Sequence, residues 1–335
     1  MEKKSAWAKL SWPIKAILVI IFIIGVGYWS YKSGRLDAEA NILNTKTIAS
    51  TEGKNNIGST TPITPAVKDH RTFNYKPEKP VNGEYKGVIE VGASGFNSFI
   101  VNVDQKKRWE IISKDFGKSF VYEGMASAAD IRMGLKDYIG GMLDKGLKSK
   151  NIHFVISSGA QKEPKTALIT SELKKMGFVV NLVTPEEEGK LALKCVLPET
   201  YADSSFVVDI GSGNTKICWV DKSVKFEEAP GSKYYEKDMK DQDVYDLVKH
   251  AAEKIPAARR KICFIIGGVP FELANQGRKG QERYTVLKDP TKYKTDKIKI
   301  KSGVNIYQGI KDATDCHTFV FDWDSNFTIG FLLSI

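Results

Sequence analysis

One stretch combines residue types that suit phosphate chemistry. Val207–Val220 places a lone carboxylate, Asp209, near the end of an apolar run. A Gly211-Ser212-Gly213-Asn214 turn and Thr215 follow, and then a second apolar run. Glycine turns leave backbone N–H groups free to face phosphate oxygens, and a carboxylate beside them can hold the water shell of a divalent cation. Asp209 is therefore an expected ligand for Mg²⁺. Gly211, Ser212, Gly213, Asn214 and Thr215 are the expected phosphate cradle.

The same pattern occurs earlier. Gly87–Gly92 reads Gly-Val-Ile-Glu-Val-Gly, with Ala93-Ser94-Gly95 after it. Glu90 precedes Asp209, and Gly92 precedes Gly211, by the same 119 positions. Glu90 is the expected second metal ligand, and Gly92, Ser94 and Gly95 the expected second phosphate turn. A repeat of this kind indicates a duplicated fold.

A third cluster is Thr184-Pro185-Glu186-Glu187-Glu188-Gly189-Lys190. Thr184 suits a helix N-cap, Pro185 the first helical position, and Glu187 completes a capping box. Glu186 suits the positive end of the helix dipole. Glu188 has no such structural task.

Strands and helices must position these groups. Strands are expected at Gly87–Gly92, Asn97–Val103, Trp109–Ser113, Ile152–Ser157 and Phe178–Val183. A second set is expected at Phe206–Ile210, Thr215–Val220, Val224–Glu228, Ile262–Ile266 and His317–Phe321. Ser127 caps a helix whose Ile131, Leu135, Tyr138 and Met142 share a face, and Pro164 opens another. Asp241–Lys254 and Val304–Ala313 read as helices, and Phe271–Ser302 as a lysine-rich solvated excursion. Strands alternating with helices in two copies predict α/β lobes facing each other across a cleft.

The bulk numbers agree. The chain has 335 residues, 42% of them hydrophobic, enough for a large core. A net charge of +10 favours an anionic partner such as polyphosphate, nucleotide, nucleic acid or acidic lipid without choosing among them, and no specific nucleic acid is predicted. Four cysteines without a C-x-x-C pair and four scattered histidines argue against a zinc site.

Residues 1–15 are basic, and 16–31 are an uncharged apolar run extended by flanking Lys15, Lys32 and aromatic residues. The expectation is a single-pass inner-membrane anchor with the N-terminus cytoplasmic and the body outside, in the periplasm. A polar tether over 32–80, lobe I over 81–200 and lobe II over 201–335 would follow.

Together these motifs resemble the exopolyphosphatase / guanosine pentaphosphate phosphohydrolase family of the actin-like superfamily. Residues 88–101 sit where the family has its first phosphate motif, Ile156–Lys162 stand where it has Ala-Thr-x-x-Leu-Arg, and Thr184–Lys190 resemble its Ser-Gly-x-Glu-Glu-Ala-Arg motif. Val208–Lys216 resemble Ile-Asp-Ile-Gly-Gly-Gly-Ser-Thr-Glu, and Ile265–Val269 stand near its Ser-Gly-Thr turn. The resemblance implies duplicated actin-like (ribonuclease H-like) lobes. It implies Glu188 as catalytic base, Lys162 in place of the motif arginine, and Gly267 and Gly268 at phosphate. The implied activity is Mg²⁺-assisted release of terminal phosphate from polyphosphate or a guanosine pentaphosphate-type nucleotide, with a homodimer as candidate assembly. Four departures from the family pattern stand out: Glu90 replaces Asp, Lys162 replaces Arg, Lys216 replaces an acid, and Ser94-Gly95 replaces an Asn-Ser pair. The competing reading is an inactive nucleotide- or polyanion-binding scaffold at the membrane.

Overall fold

Runs of β-branched and aromatic residues build two sheets. The computed structural model describes residues 73–92, 95–116 and 127–335. The basic segment 1–15, the expected anchor 16–31, most of the tether and Ser94 lie outside the described residues. No helix among the described residues is long and apolar enough to cross a membrane.

The first sheet has the order β3-β2-β1-β4-β5. Its strands are β1 (Glu84–Gly92), β2 (Gly95–Val103), β3 (Trp109–Phe116), β4 (Ile152–Ile156) and β5 (Val180–Leu182). β1, β2 and β3 form an antiparallel meander, and β4 and β5 run parallel to β1.

The second sheet repeats the plan as β8-β7-β6-β9-β11, with β10 added antiparallel at the edge. These strands are β6 (Ser205–Ile210), β7 (Asn214–Asp221), β8 (Ser223–Pro230), β9 (Ile262–Ile266), β10 (Tyr284–Val286) and β11 (Phe319–Asp322). The expected duplication is thus present as two sheets of one topology.

Alternation gives each sheet two different faces. In β1, Ile89 and Val91 join the core under α1 (Ala128–Leu143) and α2 (Pro164–Lys175). In β6, Phe206, Val208 and Ile210 join the core under α4 (Asp241–Glu253), α5 (Gly268–Asn275) and α6 (Ile298–Thr314). The opposite faces, carrying Val88 and Val207, share one core with α3 (Pro185–Val196) and α7 (Phe327–Leu332). Those two helices form the layer between the sheets. Glu90 follows Val88 and Asp209 follows Val207 on these inward faces. Alternation therefore sets the two carboxylates on facing surfaces.

Three elements differ from expectation. The excursion 271–302 contains the end of α5, strand β10 and the first turn of α6. Gly267-Gly268 followed by Pro270 reads as a break, yet Pro270 falls in the first turn of α5, where its missing N–H costs nothing. Helix α7 is short and gains its stability from docking, which sequence periodicity does not register. Ordered packing also begins before residue 81. Phe73 sits 5.3 Å from Tyr201, 5.5 Å from Phe264 and 5.2 Å from Tyr284, ring centre to ring centre.

Candidate functional site

Helix α3 begins as its sequence dictates. Thr184 Oγ1 accepts from the Glu187 N–H at 3.2 Å, and Glu187 Oε2 accepts from the Thr184 N–H at 2.7 Å. Glu186 pairs with exposed Lys190 at 2.7 Å. Glu188, left over by the capping box, is 1% exposed. Gly189 sets its depth, because a Cβ there would lie 2.7 Å from Cys218 Sγ and 3.0 Å from the Phe226 ring. Only glycine lets α3 approach β7 so closely.

Glu188 Oε1 accepts from the Ser158 N–H at the end of β4. Its Oε2 lies 2.5 Å from Lys216 Nζ. The same ammonium lies 3.2 Å from Asp209 Oδ2. Asp209 and Lys216 are directly opposed in the β6–β7 register. Burial alone would depress the lysine pKa, but Asp209 and Glu188 outweigh it and hold the ammonium above its ordinary value. Lys216 therefore stays charged.

Lobe I contains the equivalent pair. Glu90 opposes Asn97 in the β1–β2 register, and Asn97 precedes Lys216 by the same 119 positions. Glu90 Oε2 accepts from Asn97 Nδ2 at 2.9 Å and from Asn326 Nδ2 at 3.0 Å. Asn326 also caps α7, its Oδ1 accepting from the Thr328 N–H at 2.8 Å. Burial pushes the Glu90 carboxyl above the ordinary glutamate range; the two amides oppose this, while Glu188 and Asp209 add to it. Asn97, Asn326 and Ser158 were not singled out from the sequence. For Asn97 the signal was available, since the repeat offset points to it. The Ser158 hydroxyl is buried and has no hydrogen-bond partner among the described residues.

The lobe II turn divides its labour. Thr215 Oγ1 donates to the Pro230 carbonyl at 2.8 Å, and Asn214 Nδ2 donates to Glu228 at 2.8 Å. Both side chains shape the turn. The Gly211 N–H closes it on the Asn214 carbonyl at 3.0 Å. The N–H groups of Ser212 and Gly213 donate to no other protein group among the described residues. Gly267, at φ 112°, lies against Ile210, and a Cβ there would stand 2.3 Å from the Ile210 carbonyl oxygen. That approach brings the uncapped first turn of α5, with Gly268, beside the same turn. In lobe I, Gly92 and Gly95 face each other across the β1–β2 turn. Lys162 is exposed on a helical turn after β4. It lies outside the buried ion cluster.

The donor set does not suit the expected Mg²⁺. Asp209 and Glu188 share an ammonium, and Glu90 is engaged by two amides. No group of three or more acidic, histidine or cysteine residues fit to hold a metal occurs among the described residues. A divalent ion about 4 Å from the Lys216 ammonium would meet roughly 8 kcal/mol of repulsion at an effective dielectric of about 20. All four cysteines are buried, and none is in a disulfide. Burial, helped by Asp209, pushes the Cys218 thiol up to about 12, so it is inert.

No family model matches the sequence, and no curated protein matches it. Solved structures do. The Aquifex aeolicus member of the Ppx/GppA protein family superposes with a TM-score of 0.57 at 16% identity, covering 75% of this chain and 96% of that one. An exopolyphosphatase from Cytophaga hutchinsonii superposes with a TM-score of 0.55 at 13% identity, covering 75% and 97%. The chain has the Ppx/GppA fold. Glu90, Asp209, Glu188 and Lys216 come together where the inner faces of the two sheets meet α3.

Proposed function

We propose that the junction between the lobes is a phosphoanhydride site of the phosphohydrolase type. The substrate class is polyphosphate or a guanosine pentaphosphate-type nucleotide, from which terminal phosphate is released. The observation that carries this reading is Glu188. It is a helix-start carboxylate spent on no cap, buried where β4, β7 and α3 meet and beside the Asp209 turn. A carboxylate has about four acceptor sites, and two donors occupy Glu188. It can thus still accept a hydrogen bond from water. In the proposed reaction, water oxygen bonds to the terminal phosphorus, the bridging P–O bond breaks and the proton passes to Glu188. The Ser212 and Gly213 N–H groups receive phosphate oxygens, and Lys162 meets the leaving charge from the exposed rim. Such catalysis is positioning and electrostatics.

A second reading is favoured by the same contacts: Glu188 already holds two donors, as a purely structural carboxylate would. It makes the protein a non-hydrolytic polyanion or nucleotide binder. Phosphate release from polyphosphate and from guanosine pentaphosphate by the 335-residue chain separates the two. Turnover lost in Glu188→Gln with binding retained supports hydrolysis. Binding without turnover in the unaltered protein establishes the binder. We also propose that residues 16–31 hold the body at the inner membrane. A reporter fused after Ile335 that is active only inside the cell would overturn the outward placement.

A further inference from the structure

We infer that Lys216 supplies the cation of this site internally, its ammonium standing between Asp209 and Glu188, so that the cleft handles phosphate without a bound metal. The inference deepens the reading of the cleft as a phosphate site and rests on it. The geometry is specific. Nζ lies 2.5 Å from Glu188 and 3.2 Å from Asp209, and the side chain is 7% exposed. Lys216 is placed by its register opposite Asp209 in the strand pair, not by a flexible surface excursion.

The duplication shows what has changed. The equivalent position in lobe I carries Asn97, whose amide donates to Glu90 as the Lys216 ammonium donates to Asp209. Both lobes use the residue seven positions after the carboxylate as its donor. Only lobe II makes that donor a full positive charge. An ammonium carries three donors, and the two carboxylates use two. The third remains for a phosphate oxygen, and Nζ lies 3.4 Å from where a Gly211 Cβ would stand, beside the phosphate turn. One side chain can therefore neutralise the carboxylates and meet the substrate, the two tasks a bridging metal would perform. As a compact point charge, lysine suits the first task better than arginine would.

The test uses Mn²⁺ as the probe, with bound ion read by electron paramagnetic resonance on the 335-residue chain. The unaltered protein is expected to hold no Mn²⁺ that depends on Asp209. Lys216→Glu, which adds a carboxylate where the ammonium stood, is expected to bind one Mn²⁺ at least about tenfold more tightly. Lys216→Gln covers the case in which four clustered carboxylates prevent folding; it should gain a Mn²⁺-dependent rise in melting temperature that Asp209→Asn removes. A stoichiometric Mn²⁺ on the unaltered protein, lost in Asp209→Asn, would overturn the inference and leave the hydrolysis reading intact. Absence of turnover with every substrate would end the hydrolysis reading and leave the Mn²⁺ result standing.

Discussion

Replacing Lys216 by Met tests whether the ion cluster is made as described. The substitution keeps most of the side-chain volume and removes only the charge. It leaves Glu188, 1% exposed, and Asp209, 11% exposed, without their shared counterion. Removing one partner of a buried pair costs about 3–5 kcal/mol, because the remaining charge stays desolvated. With an unfolding entropy of about 2.1 cal/mol/K per residue over residues 73–335, this corresponds to a drop of roughly 5–9 °C in melting temperature. Calorimetry at pH 7 measures it. Adding about 0.5 M salt should leave the drop largely intact, since buried pairs are screened little. The exposed Lys190–Glu186 pair supplies the contrast: Lys190→Met should cost less than about 1 kcal/mol. Combining Lys216→Met with Asp209→Asn and Glu188→Gln should recover most of the loss, because no buried charge then remains. A Lys216→Met drop below about 1 °C would refute the reasoning.

Three further outcomes follow from neighbouring residues. The Glu90 pKa is raised above the unfolded value of 4.5, chiefly by burial, so the folded state resists its ionisation. Stability is then undiminished below the unfolded pKa and falls as pH rises from there toward the folded pKa. Glu90→Gln should remove that fall, and thermal melts from pH 4 to 7 should show the variant gaining on the unaltered protein as pH rises. Arg283 makes two 3.0 Å bonds to Asp322, whose side chain is fully buried, and lies 4.4 Å over the Trp109 ring in the other sheet. Arg283→Ala should cost about 3–5 kcal/mol, read as a lowered denaturation midpoint. Gly189→Ala forces α3 away from Cys218 and should cost about 1–3 kcal/mol while displacing Glu188. Turnover that survives unchanged despite that loss would separate Glu188 from the chemistry.

Much of this protein was written locally. Glu90 and Asp209, with a glycine two residues beyond each and a constant offset, announced a duplicated strand-turn-strand before any contact was known. The capping box explained Glu187 and so isolated Glu188, because helix termini have a fixed set of orphan groups that named positions satisfy. Strand alternation put Glu90 on the face of Val88 and Asp209 on the face of Val207; packing decided which face turned inward, since both faces of these strands are buried.

Tertiary structure decided what those groups touch. Asn326 reaches Glu90 across 236 positions, and Ser158 reaches Glu188 across 30. No local periodicity encodes such pairings. Helix α7, too short to hold its shape alone, exists because Gly330 lets it lie against Leu191 of α3. The side chains of Thr215 and Asn214 brace their turn, because β8 passes beside them and supplies their partners. Lys216 read only as a missing acid. Its role as a counterion needed α3 to be brought to β7, since a lone charge becomes a buried ion pair only when the fold removes the water around both partners.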